Sequence, residues 1–114
     1  MAINKDNDRT HAIYIALDEK RMIADNQEID TIKKYIDDIC IQHDMYFTED
    51  GWYVNGVFET VGAIIGVLSM QEWFMTYIKE WYWYDHYDKS CEDLVCSRKE
   101  GVTRYVDFAP KRWK

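Results

Sequence analysis

Four consecutive aromatic residues, Trp81-Tyr82-Trp83-Tyr84, restrict the fold of this chain more than any other feature of its sequence. They lie in a segment from Trp73 to Tyr87 in which eight of fifteen residues are aromatic. Successive side chains of a helix or a strand point in different directions, so four in a row cannot all face inward on one core. We therefore expect either that some of them contact a partner, as Trp and Tyr often do in interfaces, or that the chain builds a wide internal core.

The length and composition favour a single folded domain. The chain has 114 residues, of which 47% are hydrophobic and one is proline, whereas disordered chains are poor in aromatic and β-branched residues. Residues 1–9 are polar and predict a flexible N-terminus. Residues 10–114 contain no repeat or linker and are predicted to form a single α+β domain.

The first part of this domain has the pattern of a strand followed by a helix. His11–Leu17 is rich in β-branched and aromatic residues, which predicts a buried strand. Asp25 and Glu28 have the spacing of a capping box at a helix start. Apolar residues then recur at helical spacing up to His43, which predicts an amphipathic helix of about 17 residues.

The remaining elements complete a mixed pattern. Glu49-Asp50-Gly51 between Met45–Thr48 and Trp52–Gly56 predicts a β-hairpin, because glycine accepts a positive φ. A long apolar helix is expected from Phe58 to Trp81, although the aromatic residues at its end also suit a strand. Gly101–Phe108 alternates and predicts a final strand. The order β-α-β-β-α-β is that of a ferredoxin-like fold, with two helices on one face of an antiparallel sheet.

Cysteine usage and hydropathy indicate the compartment. Cys40, Cys91 and Cys96 are an odd number of cysteines, which fits a reduced compartment better than a disulfide framework. Val61–Met70 is uncharged, but a membrane helix needs about 20 apolar residues. We therefore expect no membrane partner and a cytoplasmic location, in the host cytoplasm if the protein is viral.

His86, Cys91 and Cys96 are the clearest candidates for chemistry. They follow one another at intervals of five residues, but a structural zinc site needs four ligands at tighter spacing. A catalytic cysteine needs a base and a setting that favours the thiolate, whereas Cys91 precedes two acids. The sequence contains no phosphate-binding loop or hydrolase motif. We expect no metal, no cofactor and no enzymatic activity; an enzyme that uses His86 with Cys91 or Cys96 is a third hypothesis.

The negative charge is unevenly distributed. The net charge is −7 for the whole chain, −11 in residues 1–95 and +4 in residues 96–114. Binding to nucleic acid needs a basic face, so we expect no direct binding of this kind. The carboxylates of the acidic part can instead take the place of phosphates in the basic groove of another protein.

These observations predict a small acidic inhibitor that is not an enzyme and that binds a larger, nucleic-acid-processing protein with a basic groove, such as a nuclease or a defence effector. Phage anti-defence inhibitors, including anti-CRISPR proteins, and nuclease immunity proteins share this general character. The alternative is a homodimeric structural or assembly subunit that pairs through the long apolar helix. The residues expected to contact the partner are acidic or aromatic: Asp37, Asp38, Asp44, Glu49, Asp50, Trp52, Trp81, Tyr82, Trp83, Tyr84 and Asp85.

Overall fold

Five strands form one antiparallel sheet in the structure, a computed structural model that describes residues 9–114. The strands are β1 (His11–Leu17), β2 (Tyr46–Phe47), β3 (Trp52–Gly56), β4 (Ile78–Asp85) and β5 (Ser90–Asp93). Their order across the sheet is β2-β3-β1-β4-β5. The predicted α+β class and antiparallel sheet are therefore confirmed. Residues 1–8 of the predicted flexible N-terminus lie outside the described residues.

Within residues 9–114, four α-helices accompany the sheet. They are α1 (Glu19–Ala24), α2 (Ile29–Gln42), α3 (Phe58–Ser69) and α4 (Glu72–Tyr77). Side chains of α2, α3 and α4 share one buried cluster with Ile13 of β1 and Trp81 of β4, so these helices cover one face of the sheet. A π-helical turn at Cys96–Glu100 and a 3-10 turn at Lys111–Trp113 follow β5.

Three predicted elements are confirmed because their signals are local. The strand β1 has the predicted bounds. Helix α2 is amphipathic and buries Ile36 and Cys40, although it is shorter than expected at 14 residues. The β2–β3 hairpin turns at Gly51, which has a φ of 90°. A Cβ at Gly51 would also lie 3.1 Å from the ring of Tyr14, so glycine satisfies both the conformation and the packing.

The capping box predicted at Asp25 and Glu28 is wrong, because Asp25 ends a helix instead of starting one. Helix α1 begins after Asp18, whose carboxylate accepts a hydrogen bond from the backbone N–H of Arg21 at 3.2 Å. The carboxylate of Asp25 accepts a hydrogen bond from the Tyr77 hydroxyl at 2.8 Å. Glu28 precedes α2 without capping it through its side chain. A distant residue thus determines the role of Asp25.

The single long helix predicted from Phe58 to Trp81 is also wrong. Helix α3 ends at Ser69, whose hydroxyl donates to the carbonyl of Ile65 at 2.6 Å. After α4, the chain becomes extended at Ile78 and pairs with β1 along the length of β4. Hydrogen bonds to β1 and the packing of large aromatic side chains on a sheet therefore override the helical spacing of the sequence.

The final strand predicted at Gly101–Phe108 is wrong as well. This stretch contains one isolated bridge, from Tyr105 to Glu92, and no regular strand. Strand β5, which the prediction lacks, lies at this edge of the sheet. Helices α1 and α4 are also additional to the predicted β-α-β-β-α-β order. We call residues 101–114 the C-terminal segment.

The C-terminal segment covers the second face of the sheet, and this arrangement places the four consecutive aromatic residues. Trp81 and Trp83 pack with the helices. Tyr82 and Tyr84 belong to a second cluster on the opposite face, together with side chains of the C-terminal segment. There, the ring centre of Phe108 lies 5.2 Å from that of Tyr82. Both faces of β4 are thus covered by the chain itself, and Trp81 is fully buried.

Gly56 and Gly66 provide a matched test of this packing. A Cβ added at Gly56 would lie 2.6 Å from a methyl carbon of Val61, whereas one at Gly66, on the exposed side of α3, would have no atom within 4 Å. We expect Gly56→Ala to lower the free energy of unfolding by about 1–3 kcal/mol because it overpacks the core. We expect Gly66→Ala to raise it by up to about 1 kcal/mol through helix propensity. Urea unfolding followed by tryptophan fluorescence measures both values, and equal effects would contradict the packing described.

Candidate interaction surface

The β2 edge of the sheet combines acidic and aromatic side chains, and we call this surface the acidic edge. Its members are Asp37, Asp38, Asp44, Tyr46, Phe47 and Glu49. Helix α2 carries the first two, β2 carries the aromatic pair, and the loops on either side of β2 carry the others. Met45 is buried in the core and anchors the connection from α2 to β2. Asp44 has a φ of 62°, so the chain reverses direction at that residue.

Tyr46 and Phe47 are the exposed aromatic residues of this edge, with 46% and 58% of their surface accessible. The Phe47 ring contacts Tyr53 edge-on, with ring centres 5.0 Å apart. The backbone N–H of Thr48 donates to the Trp52 carbonyl at 2.8 Å. Hydrogen-bonded pairs alternate along an antiparallel ladder, so the N–H and C=O of Phe47 point away from β3. They face the open edge of the sheet, where another strand can pair.

The two carboxylates that α2 contributes to the acidic edge have different partners. Asp37 accepts a hydrogen bond from the Tyr53 hydroxyl at 2.8 Å. Burial and this hydrogen bond raise the pKa of Tyr53, so its phenol stays protonated and remains the donor. Asp38 forms an ion pair with Lys34 at 3.0 Å. Asp37 forms no ion pair with any cation of residues 9–114.

The carboxylates in the loops around β2 also differ in whether they have partners within the chain. Asp44 and Glu49 are exposed and form no ion pair with the residues that the structure describes. Asp50 is engaged inside the chain: it accepts hydrogen bonds from the Thr48 hydroxyl and, at 2.8 Å, from the backbone N–H of Lys111. The Thr48 bond, supported by the Lys111 bond, lowers the pKa of Asp50. Asp50 therefore holds the C-terminal segment against the hairpin, while Asp44 and Glu49 stay available.

An open groove of about 530 Å³ adjoins Phe47. Its apolar and aromatic lining consists of Ile15, Ala16, Leu17, Ile36, Phe47 and Tyr53. Glu19 and Lys33 lie at the groove and form an ion pair at 3.1 Å. This volume is within the range of ordinary ligand pockets, about 300–1,000 Å³. The groove is therefore large enough to receive one apolar side chain of a partner beside the acidic edge.

The other aromatic residues expected to contact a partner lie inside the chain. Trp52, Trp81 and Tyr84 are buried, and Tyr82 and Trp83 are partly buried in the two clusters of the sheet. The structure does not bring these five side chains to one exposed surface. Their large apolar area serves the internal core in this fold.

Asp85 is also separated from the acidic edge. It pairs with His11 at one end of the sheet, whereas Glu49 lies in the hairpin loop at the other end. Its carboxylate accepts a hydrogen bond from the backbone N–H of Tyr87 at 2.9 Å and shapes the β4–β5 turn. Sequence reasoning missed Tyr46 and Phe47 as surface residues. Their exposure follows from the edge position of β2, and local sequence patterns do not contain the order of strands in a sheet.

The three cysteines have surroundings that oppose thiolate formation. Cys40 and Cys91 are buried, and burial raises the pKa of each thiol to about 12. The Cys96 thiol donates to the Glu100 carboxylate at 3.3 Å, and this hydrogen bond raises the pKa of Cys96. In the part of the chain that the structure describes, no three His, Cys, Asp or Glu side chains converge to hold a metal ion. His86 and the two cysteines near it thus form no metal site there.

No protein-family model matches the chain, and no curated protein sequence matches it. Among residues 9–114, none of the helices is long and apolar enough to span a bilayer. The acidic edge is one part of the described surface where carboxylates without ion pairs and exposed aromatic side chains lie together.

The burial of the cysteines predicts their reactivity. In the folded protein, we expect Ellman's reagent to label Cys96 slowly and to leave Cys40 and Cys91 unlabelled, because both are buried and hold their protons strongly. All three should react in denaturant. Cys96→Ser is the matched control and should abolish labelling of the folded protein. Rapid labelling of Cys91 in that variant would contradict the described burial.

Proposed function

We propose that this protein is a small acidic inhibitor, without enzymatic activity of its own, that binds a larger nucleic-acid-processing protein through the acidic edge. One observation carries the proposal: Asp37, Asp44 and Glu49 form no ion pair within residues 9–114 and lie along a sheet edge that also exposes Tyr46 and Phe47. Carboxylates at such an edge attract a basic groove, and the aromatic rings supply contact area once the surfaces meet.

The acidic edge offers three kinds of contact at once. The carboxylates take positions that phosphates of a nucleic acid would occupy in the groove of the target. The outward N–H and C=O of Phe47 can pair with an extended segment of that target. The groove beside Phe47 can receive an apolar side chain of the same segment. Long-range attraction then increases the association rate, and the aromatic contacts slow dissociation.

The cellular setting belongs to the proposal. A phage anti-defence role, anti-CRISPR-like in character, or a nuclease-immunity-like role would place the protein in the cytoplasm of the cell that contains its target. The strand order β2-β3-β1-β4 supports a ferredoxin-like core, with β5 added at one edge. This fold hosts many functions, so the functional proposal rests on the surface.

The charge of the acidic edge predicts the salt dependence of binding. We expect D37N/D44N/E49Q to weaken binding to the target about tenfold or more at physiological salt, because three carboxylates lose their attraction to basic groups. The Asp37→Asn change keeps a side-chain oxygen that accepts from Tyr53, so the fold is retained. The matched control E72Q/D88N/D107N removes three exposed carboxylates elsewhere and should change the affinity less than about twofold.

Titration calorimetry against a panel of defence nucleases and nuclease toxins provides the measurement. Binding should weaken steadily as salt rises from about 0.05 to 0.5 M, because screening shortens the range of charge attraction. Affinity that is indifferent to salt, or equal losses in the two triple variants, would contradict the proposal that carboxylates imitate phosphates.

A homodimeric subunit is the second candidate function, and the outer face of α3 favours it. This face exposes Gly62, Ala63, Gly66, Val67 and Met70. A Cβ at either glycine would meet no atom within 4 Å, so the packing of one chain does not require glycine at these positions. Glycine inside a helix costs about 0.5–1 kcal/mol relative to alanine, and close approach of a second helix would offset that cost.

Light scattering coupled to size exclusion tests the dimer directly. We expect a concentration-dependent dimer for the natural chain and a monomer for G62L/G66L, because two leucine side chains prevent close contact of the helices. T31L/Q42L adds the same apolar groups to an exposed part of α2 and should leave the dimer unchanged. A natural chain that remains monomeric at about 1 mM would exclude this function.

A further inference from the structure

A cleft of about 780 Å³ lies at the end of the sheet opposite the β2–β3 turn. Four separate parts of the chain meet there: the residues before β1, the end of β3, the turn after β4 and the 3-10 turn of the C-terminal segment. The side chains that matter for its chemistry are Arg9, Asn55, His86, Tyr87, Arg112 and Trp113. Among residues 9–114, none of those that line the cleft is acidic, although the chain as a whole has 21 Asp and Glu residues against 14 Lys and Arg.

The two arginines have neutral partners only among the described residues. Arg9 donates from one guanidinium nitrogen to the carbonyl oxygen of Asn55 at 3.1 Å. Arg112 donates to the Tyr46 hydroxyl, and its guanidinium carbon lies 5.4 Å from the ring centre of Trp113. Neither forms an ion pair within residues 9–114. Since a guanidinium carries five N–H donors, most of the donors of both groups are left for a ligand.

His86, Tyr87 and Trp113 supply aromatic rings to the cleft. The ring of His86 stacks on that of Trp113, with centres 5.0 Å apart and planes 11° from parallel. Tyr87 is 84% exposed. Asp85, which precedes His86, accepts hydrogen bonds from the backbone N–H groups of Tyr87 and Asp88 and does not line the cleft.

We propose that this cleft binds a phosphate group, either as free phosphate or as the phosphate of a small phosphomonoester. Each guanidinium can donate two parallel hydrogen bonds to a phosphate dianion, which it matches in geometry and charge. Within residues 9–114, no carboxylate forms an ion pair with either arginine, although the chain has a net charge of −7 and many acids that surface pairing could use. The volume exceeds that of phosphate alone, and Tyr87 offers a flat surface for an organic group. This inference does not depend on the inhibitor function.

Titration of the full chain followed by two-dimensional amide NMR tests the site, with sodium phosphate, AMP and adenosine as separate probes at constant ionic strength. We expect saturable shifts at Thr10, His86 and Tyr87 with phosphate and AMP and none with adenosine. The double variant R9Q/R112Q should raise Kd at least tenfold, because charge-assisted hydrogen bonds to both groups are lost. Tighter binding of AMP than of phosphate would identify a phosphomonoester as the ligand, and equal binding would identify free phosphate.

The matched control is R98Q/K99Q, which removes two exposed positive charges outside the cleft and should leave Kd within twofold. Well-dispersed spectra of both double variants establish that they are folded. Three results would overturn the proposal: no saturable shift up to on the order of 10 mM phosphate or AMP, equal losses in the two double variants, or adenosine binding as tightly as AMP.

Discussion

The burial of aromatic side chains on both faces of β4 is the constraint on which the rest of the structure depends. Trp81 packs edge-on against Phe74 on the helical face, with ring centres 4.8 Å apart, and Tyr84 stacks with Trp113 on the other face. Each fully buried large side chain contributes about 1.5–3 kcal/mol, so neither face can remain open to water without a large loss. The helices cover one face, and the irregular C-terminal segment must cover the second.

Because the aromatic side chains of β4 pack inside the chain, other residues form the surface that a partner can contact. Asp50 accepts a hydrogen bond from the Lys111 backbone and Tyr46 accepts one from Arg112, so the basic C-terminal segment is held against the hairpin. Asp37, Asp44 and Glu49 form no ion pair within residues 9–114 and lie with Phe47 at the open edge of the sheet. Acidic and aromatic side chains therefore lie together at this edge, as proposed for partner binding. The aromatic residues there are Tyr46 and Phe47, and not the four consecutive residues Trp81–Tyr84.

Local signals predicted the parts of the fold that local interactions determine. The turn at Gly51 and the amphipathic pattern of α2 each depend on a few neighbouring residues, and both are confirmed. The wrong predictions concern segments whose structure depends on residues distant in sequence. The Tyr77 hydroxyl donates a hydrogen bond to the carboxylate of Asp25, and β1 pairs with the segment around Trp81. For the candidate site, the acids of α2 and the hairpin were predictable from sequence. The exposure of Phe47 was not, because it depends on β2 being the edge strand.

Amide hydrogen exchange of the protein, alone and bound to a target nuclease, tests the central claim most directly. In the free protein, the outward amide of Phe47 should exchange rapidly, while the amides of Tyr82–Tyr84 should exchange slowly because this part of β4 pairs with both β1 and β5. Binding of the target should protect residues 44–49 and leave β4 unchanged. Protection that arises at β4 or on the outer face of α3, with none at residues 44–49, would contradict the assignment of partner binding to the acidic edge.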